Sequence, residues 1–513
     1  MLLIFPPQAK GCEPPAGISR IAGFLRANTC ECRLWDANIE AQRYLLTQEQ
    51  NPTDTWSKRA WKNRDKNLRS LQNPDLYMNQ DRYQRAVRDC NRVLTKSCEN
   101  TAVTISLADY QDAELSPHQS ADLLYAAAEY WTSPFFPFYK QRLPELLDGS
   151  GKDFIGISLN YLSQALAVFA LAGYLKEAYP NCPLIVGGGL ITSWLRSPGW
   201  KNPFRSVFGQ MIEGPGELPL LQLLGHSGEV VHSAPDFHDL ALHDYLSPGT
   251  VIPYSASIGC YWNRCSFCPE KAEGGAYTKL SAVQVLDDLV TLKEEYKPTL
   301  IHLLDNAVAP SLMRQMIADP IGVSWYGFAR VSRELSDPDF CVQLRKAGCV
   351  MLKLGIESGS QQVLDAMDKG IDLQLVEQSL AALQKAGIAT YVYLLFGTPS
   401  ETIHEARQTL DFTVRNAEGI GFLNLAVFNM PRNSLEREGL QIRDFSGGDL
   451  GLYSDFVHPM GWNRKEVRSF LADEFKSHPA IRPVLQRDPP FFTSNHAAFT
   501  LHFLNKREQN SNV

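Results

Sequence analysis

The stretch Val251-Ile-Pro-Tyr-Ser-Ala-Ser257-Ile-Gly-Cys260-Tyr-Trp-Asn-Arg-Cys265-Ser-Phe-Cys268-Pro269 decides how this chain is read. Residues 251–257 form an apolar run of strand character, and three cysteines follow within nine residues on a loop at its carboxyl end. Thiolates so placed can converge on one face of a metal cluster. A [4Fe–4S] cluster normally takes four thiolates; three would leave one iron open to chelate a substrate or cosubstrate. Two blander readings use the same residues, namely three buried cysteines or half of a zinc site. Zinc needs a fourth ligand, and the next cysteines, Cys341 and Cys349, lie far along the chain outside any paired spacing. Gly259, Arg264 and Pro269 mark an exposed loop rather than a core.

Working outward, strand-like runs recur at 300–304, 323–329, 351–356, 390–396 and 422–427, with helical patterns between them at 281–295, 337–347, 374–386 and 403–418. Six strand–helix repeats are too few for a closed eight-unit barrel and predict an open, partial (β/α)6 one. Its strands end in polar residues: Asp305-Asn306 after the second, Arg330 after the third, Gly355-Ile-Glu357-Ser358-Gly359 at the fourth and Gly397-Thr-Pro399-Ser-Glu401-Thr402 at the fifth. Tyr391, Tyr393 and Phe428 are placed to shape a substrate cavity, although core packing explains them equally well.

Upstream, a strand at 2–5, a helix at 18–27 and a strand at 32–35 ending on Asp36 open a βαβ series. A polar, helix-prone insertion at about 45–150 interrupts it. The series resumes with strands at 153–159, 183–186 and 207–212 and helices at 164–178 and 218–224, as expected of a doubly wound, Rossmann-like α/β sheet whose ligands sit outside the carboxyl ends of its strands. The expected division is a sheet domain at 1–225, a linker at 226–249, the barrel at 250–440, and a small, mostly helical accessory region at 441–513.

Composition narrows the function classes. A length of 513 residues exceeds one compact core. The net charge of −7, from 56 acidic against 49 basic residues, argues against a nucleic-acid-binding surface over the whole molecule. No run approaches the roughly 18–20 apolar residues of a membrane span, and the opening MLLIFPPQAKGCEPP lacks the basic and apolar regions of a signal peptide; a cytoplasmic location is expected. Eleven cysteines, an odd number in so long a chain, point to thiols or metal ligands rather than to a disulfide framework. Residues 56–98 carry eleven Lys/Arg against four Asp, interleaved with Trp56, Trp61, Tyr77 and Tyr83. They could dock an anionic substrate, a leader peptide or nucleic acid, but a solvated helical face with aromatics packed inward is the simpler reading. His458, His478, His496 and His502 show no metal-like spacing.

The cysteine loop resembles the cluster motif of the radical S-adenosylmethionine (SAM) superfamily, down to the aromatic Phe267 before the third cysteine; the resemblance covers residues 250–435. The usual first gap in that motif is three residues, and here it is four. The resemblance implies that Cys260, Cys265 and Cys268 hold a [4Fe–4S] cluster and that Phe267, Asp305, Arg330, Glu357, Ser358 and Gly397 contact SAM. It also implies an electron donor such as flavodoxin or ferredoxin, and cleavage of SAM to a 5′-deoxyadenosyl radical that abstracts hydrogen from an unactivated carbon.

The N-terminal phrases Pro6-Pro7, Pro15-Ala-Gly17, Trp35-Asp36-Ala-Asn38, Gly156-Ile-Ser158, Gly187-Gly188-Gly189 and Gly214-Pro-Gly216-Glu217 resemble the cobalamin-binding domain of one radical SAM subgroup. That implies cobalamin contacts from Pro15, Asn38, Ser158, Leu159, Gly187, Gly188, Gly189, Glu213 and Gly214, with Ser158 available to the dimethylbenzimidazole. Cobalt-ligating domains carry Asp-x-His-x-x-Gly; here Asp36-Ala-Asn38 has no histidine, which implies cobalt without a protein imidazole below it. A cobalamin-free sheet is the other reading. Both cofactors together imply methylation of a small molecule or peptide through methylcobalamin. The alternatives are rearrangement, cyclisation or oxidation without methyl transfer, and a non-catalytic cobalamin or iron–sulfur sensor.

Overall fold

The computed structural model describes residues 1–99, 101–147, 154–443, 448–489 and 498–499. Two compact units divide the chain: Met1–Thr250 forms one, and Val251–Phe445 with Tyr453–Pro489 forms the other.

The first unit is built on five parallel strands, β1 (Leu2–Phe5), β2 (Arg33–Asp36), β3 (Ile155–Ser158), β4 (Leu184–Gly187) and β5 (Gln210–Met211), paired in the order β2-β1-β3-β4-β5. The strands are short apolar runs because helices cover both faces of a parallel sheet. Helix Ala37–Thr47 starts where the Asp36 carboxylate accepts from the backbone N–H groups of Asn38 and Ile39. Helix Leu162–Ala178 is apolar around most of its circumference and correspondingly buried. It carries Gly173 against helix Ser120–Ala128, where a Cβ would stand 1.9 Å from the Ala127 carbonyl oxygen.

The insertion is helical, as expected, with a short hairpin at Val103–Ile105 and Tyr110–Asp112. Within its basic stretch Arg59 pairs with Asp89, Arg92 pairs with Asp54 and lies over Trp56, Arg64 lies over Trp61, and Tyr77 and Tyr83 are buried.

Two expectations for this unit need correction. The strand placed at 207–212 shrinks to Gln210–Met211, because the Phe204 carbonyl takes the N–H groups of Val207 and Phe208 into a turn that seats Phe204 and Phe208 on Phe169. The segment 226–249 is no free linker. Arg26 binds Asp236 and Asp239, Asn28 exchanges two 2.8 Å hydrogen bonds with Val231, and the buried Tyr245 hydroxyl donates to Asp36 at 2.6 Å. These partners lie about 200 residues apart in sequence, so local composition gave no sign of them.

The second unit holds six parallel strands in strictly sequential order, β6 (Val251–Tyr254), β7 (Leu300–Leu303), β8 (Ser324–Ala329), β9 (Cys349–Glu357), β10 (Ala389–Phe396) and β11 (Phe422–Val427). This is the open partial barrel that the repeat count predicts. Helices Ala282–Tyr296, Pro338–Lys346, Leu373–Ala386 and Ile403–Arg415 connect strands, each started by a side-chain cap from Ser281, Asp337, Asp372 or Thr402.

The described part of the region after 440 is mostly helical and packs on the second unit. Tyr453–Phe456 pairs with Met430–Pro431 and with Ile442–Arg443, and helix Arg464–Phe470 runs into a π-helical turn whose Phe475, with Phe470, packs on Phe396 of β10. Residues 448–452 belong with the first unit. His458 is a core histidine bonded to Thr398, and His478 caps its own turn; His496 and His502 lie outside the described residues. Among the described residues no helix is long and apolar enough to cross a membrane.

Overpacking of a close-packed core typically costs about 1–3 kcal/mol. Gly173→Ala is therefore expected to lower the urea unfolding midpoint by that equivalent with an unchanged slope, measured by circular dichroism.

Candidate active site

The three cysteines follow β6, on the loop after the short strand Ser257–Ile258, and all three thiols are half-buried. The Cys268 N–H bonds the Cys265 carbonyl at 3.3 Å. The thiols are near enough to feel one another: burial raises Cys265 and Cys268 above the ordinary thiol range, and Cys268 adds to the rise at Cys265 as Cys260 does at Cys268. Lys369 and Arg330 act on Cys265 in the opposite sense. Among the described residues no three His, Cys, Asp or Glu side chains close in as ligands of a single ion would. A cluster asks for a wider spacing, because each thiolate takes a different iron. Three free thiols on one loop, faced by two cations, suit such a cluster.

The loop is seated on the segment after β9. The Ser266 N–H bonds the Met367 carbonyl at 3.0 Å, the Trp262 indole N–H bonds the Asp368 carbonyl at 3.0 Å, and Arg264 pairs with the Asp368 carboxylate at 3.1 Å. Trp262 lies so close over Gly370 that a Cβ there would stand 2.0 Å from the indole, and Gly370 itself has φ +66°. Asn263, with φ +45°, turns the loop in the left-handed region and takes up its longer first gap.

The polar strand endings divide into two kinds. Glu357, at φ +70° on a bulge in β9, pairs with the buried Lys369 at 2.8 Å, and Lys369 in turn stands over the Phe267 ring. Arg330 reaches the Cys265 sulfur at 3.9 Å. Glu357, Lys369, Phe267 and Arg330 therefore gather around the thiols. Asp305, Ser358 and Gly397 make bonds to neighbouring segments of the scaffold. Asp305 is buried, which raises its carboxyl, and it accepts from the Ala256 N–H and the Ser257 hydroxyl at the end of β6. It also lines a pocket with Tyr277, Lys279, Ser281 and Ser311. Ser358 is fully buried with its hydroxyl 3.1 Å from that of Thr409. The Gly397 N–H bonds Glu401, whose carboxylate also accepts from the Trp462 indole at 2.9 Å. Burial pushes Glu401 up to about 7.

Below the mouth, Tyr391 and Tyr393 pack ring on ring at 4.7 Å, and Phe328 adjoins Tyr393. Phe428 lies apart from them, against Phe456. Sequence reasoning passed over two residues here. Lys353, 1% exposed, sits 3.1 Å from His302 Nε2, and His302 stacks on Tyr326. The available signal was a lysine in the otherwise apolar run Cys349–Ile356.

In the first unit the candidate cofactor edge lies at the carboxyl ends of β1, β3 and β4. The strand order switches between β1 and β3, the position at which open α/β sheets bind ligands. Ser158 accepts from Asn160, and Asn160 also receives the Gly189 N–H at 2.9 Å. Gly188, with φ +109°, admits no side chain, since a Cβ would stand 2.4 Å from the Leu159 carbonyl. Leu159 itself is fully buried and bridges β4 through Gly187 and Leu190. Glu213 pairs with Arg196, and the Gly214 N–H bonds Thr192 at 2.9 Å. Asn160, Thr192 and Arg196 are additions that only the folded loops reveal. Pro15 caps helix Ala16–Ala27 and accepts from Ser19. Asn38 is 1% exposed and committed to the Ala9 N–H and the Gln42 amide.

Residues 254–413 match the model of the Radical SAM superfamily, so this chain carries a radical SAM domain. In the chain that domain follows a 2-1-3-4-5 parallel sheet and is itself built on a six-stranded partial barrel. The chain is similar to an uncharacterized methyltransferase of Pyrococcus horikoshii, with 26% identity over 35% of this chain and 40% of the relative. It is also similar to the anaerobic magnesium-protoporphyrin IX monomethyl ester cyclase of Rubrivivax gelatinosus, with 25% identity over 39% of this chain and 36% of the relative. The match thus spans less than half the length of these curated relatives. Among solved structures its fold is similar to that of the radical SAM methyltransferase TsrM of Kitasatospora setae, determined with cobalamin and a [4Fe–4S] cluster bound. The TM-score is 0.50 at 16% identity, covering 87% of this chain and 81% of that one.

Gly370→Ala is expected to unseat Trp262 and reduce the iron loaded on anaerobic reconstitution to less than half, with the far-ultraviolet dichroism retained. Glu401 holds its proton to about pH 7, whereas its ordinary value is 4.5. The folded state therefore binds the extra proton, and stability falls as pH rises from about 4.5 to about 7, by a total on the order of 3 kcal/mol. Glu401→Gln should flatten that part of the pH profile of the thermal midpoint.

Proposed function

We propose that this chain is a cobalamin-dependent radical SAM enzyme that methylates an unactivated carbon of a small-molecule or peptide substrate. The observation that carries the reading is the three-thiol loop at the mouth of the partial barrel, faced by Arg330 and Lys369. When bound, the cluster would supply one electron for reductive cleavage of SAM, and cobalamin would supply the methyl group.

The chain's own residues bind, orient and shield. Cys260, Cys265 and Cys268 would hold three irons and leave the fourth open. The Glu357–Lys369 pair sets a fixed carboxylate and ammonium beside Phe267, where the polar groups of SAM would meet them. Tyr393, half-buried on β10, packs against Tyr391 and Phe328. In the first unit Gly187, Gly188 and Gly189 carry no side chains beside Ser158 at the strand ends where a corrin would lie. With Asn38 committed to internal bonds, that edge offers cobalt no imidazole at the position where the ligating motif would carry one. The methyltransferase names of the Pyrococcus and Kitasatospora proteins support methyl transfer. Likeness to the Rubrivivax cyclase favours a second reading, radical cyclisation or oxidation with the same cofactors.

Anaerobically reconstituted protein should show the absorption of both iron–sulfur cluster and corrin, and should cleave SAM under strong reductant. Replacing all three cysteines by alanine should abolish iron binding and lower SAM cleavage at least 100-fold. With methyl-labelled SAM, label in the product supports methylation, whereas 5′-deoxyadenosine without label transfer supports the second reading. Iron-free protein that stays inert to SAM would refute both.

A further inference from the structure

Arg330 matches the place of a cosubstrate ligand, yet its contacts in the fold run elsewhere. One guanidinium nitrogen, Nη1, donates to the Cys265 sulfur at 3.9 Å. The other, Nη2, donates to the Lys369 carbonyl at 2.6 Å and to the Gly370 carbonyl at 3.4 Å. Its plane lies over the Trp262 ring at 4.2 Å, and Arg264 approaches the same ring at 5.0 Å. A guanidinium has five N–H donors in a rigid fork, and here the fork is aimed by two carbonyls and an indole at one thiolate. Trp262 is available for this stack because the cysteine gap is four residues long and Asn263 turns at positive φ. The indole is then pinned by the Asp368 carbonyl and by the notch at Gly370.

We infer that Arg330 is a positioning residue for the cluster: held by Trp262 and the Lys369–Gly370 carbonyls, it hydrogen-bonds the Cys265 thiolate and raises the cluster's reduction potential. The inference rests on the reading that the three thiolates hold a cluster. Reduction adds one negative charge, and a fixed cation with an N–H directed at a ligand sulfur stabilises the reduced form more than the oxidised one. The longer loop is then the means by which this chain mounts an aromatic platform for that cation.

The test compares reconstituted wild type, Arg330→Gln and Arg330→Lys by spectroelectrochemical titration, iron content and equilibrium binding of SAM. At a fixed potential, Arg330→Gln is expected to lower the reduced-to-oxidised ratio about tenfold, which for a one-electron couple is about 59 mV, with iron content retained. Arg330→Lys should fall in between, because it keeps the charge and loses the fork. Trp262→Phe, which leaves Arg330 its charge and removes the indole bond to Asp368, should shift the potential in the same direction by less. An iron-loaded Gln variant with the wild-type potential and weakened SAM binding would overturn the inference and return Arg330 to the cosubstrate. If the Gln variant does not load iron, the Lys variant decides: a wild-type potential there overturns the inference. Wild-type protein without iron would instead sink the cluster reading itself, so the two failures are distinguishable.

Discussion

Three thiols on nine residues are held together against their own chemistry. Thiolates repel, and half-burial strips them of water; a loop carrying them would spread unless something outside it supplied charge and a seat. Met367–Gly370 and Arg330 supply both. Lys369 and Arg330 bring the positive charge, while the carbonyls of Met367 and Asp368 take up the loop's Ser266 N–H and Trp262 indole. The seat is rigid because it hangs from β9, a nine-residue central strand paired on both sides. Much of the second unit can be understood as support for that strand end.

The same dependence explains what kind of residue stands at each strand terminus. In a parallel sheet every carboxyl end faces one way, so polar residues there are near neighbours whatever their distance in sequence. Some of them face the thiol loop and others tie down the segments around it. Asp305 fixes the end of β6, from which the cysteine loop departs; Ser358 ties the turn after β9 to Thr409; Glu401 ties Gly397 to Trp462. A sequence pattern cannot separate the two roles, because both need a short polar side chain in the same place. The distinction appears only in burial and in partners.

That is also the boundary of what could be read from the sequence. The six barrel strands, the βαβ series and the helical insertion were legible because apolar runs and helical periods are local. The thiol loop could be picked out because its three cysteines lie within nine residues. Segment 226–249 was misread because its anchors, Arg26, Asn28 and Asp36, lie two hundred residues earlier. The helical character of the tail was legible, but not the burial of Phe470 and Phe475 against β10, a contact that no local window contains. Asn38 stands where the resemblance places a cobalamin neighbour, yet its amide is bound inward to Ala9 and Gln42.

The four-residue gap, the one departure from the usual cluster spacing, looks from sequence alone like a defect to be tolerated. The structure gives the longer loop a use. Asn263 accepts a left-handed turn at modest energy because its short polar side chain tolerates that region better than most. The turn lets Trp262 fold back onto Gly370, where no other residue type leaves room for it. Glu357 holds a positive φ without the excuse of a small side chain, a conformation that costs on the order of 1–3 kcal/mol and persists where surrounding structure over-determines it. Its ion pair with Lys369 is that structure. Loop, notch and strained glutamate therefore form one connected device: Lys369 ties Glu357 to the seat, and the seat holds the indole that aims Arg330 at Cys265.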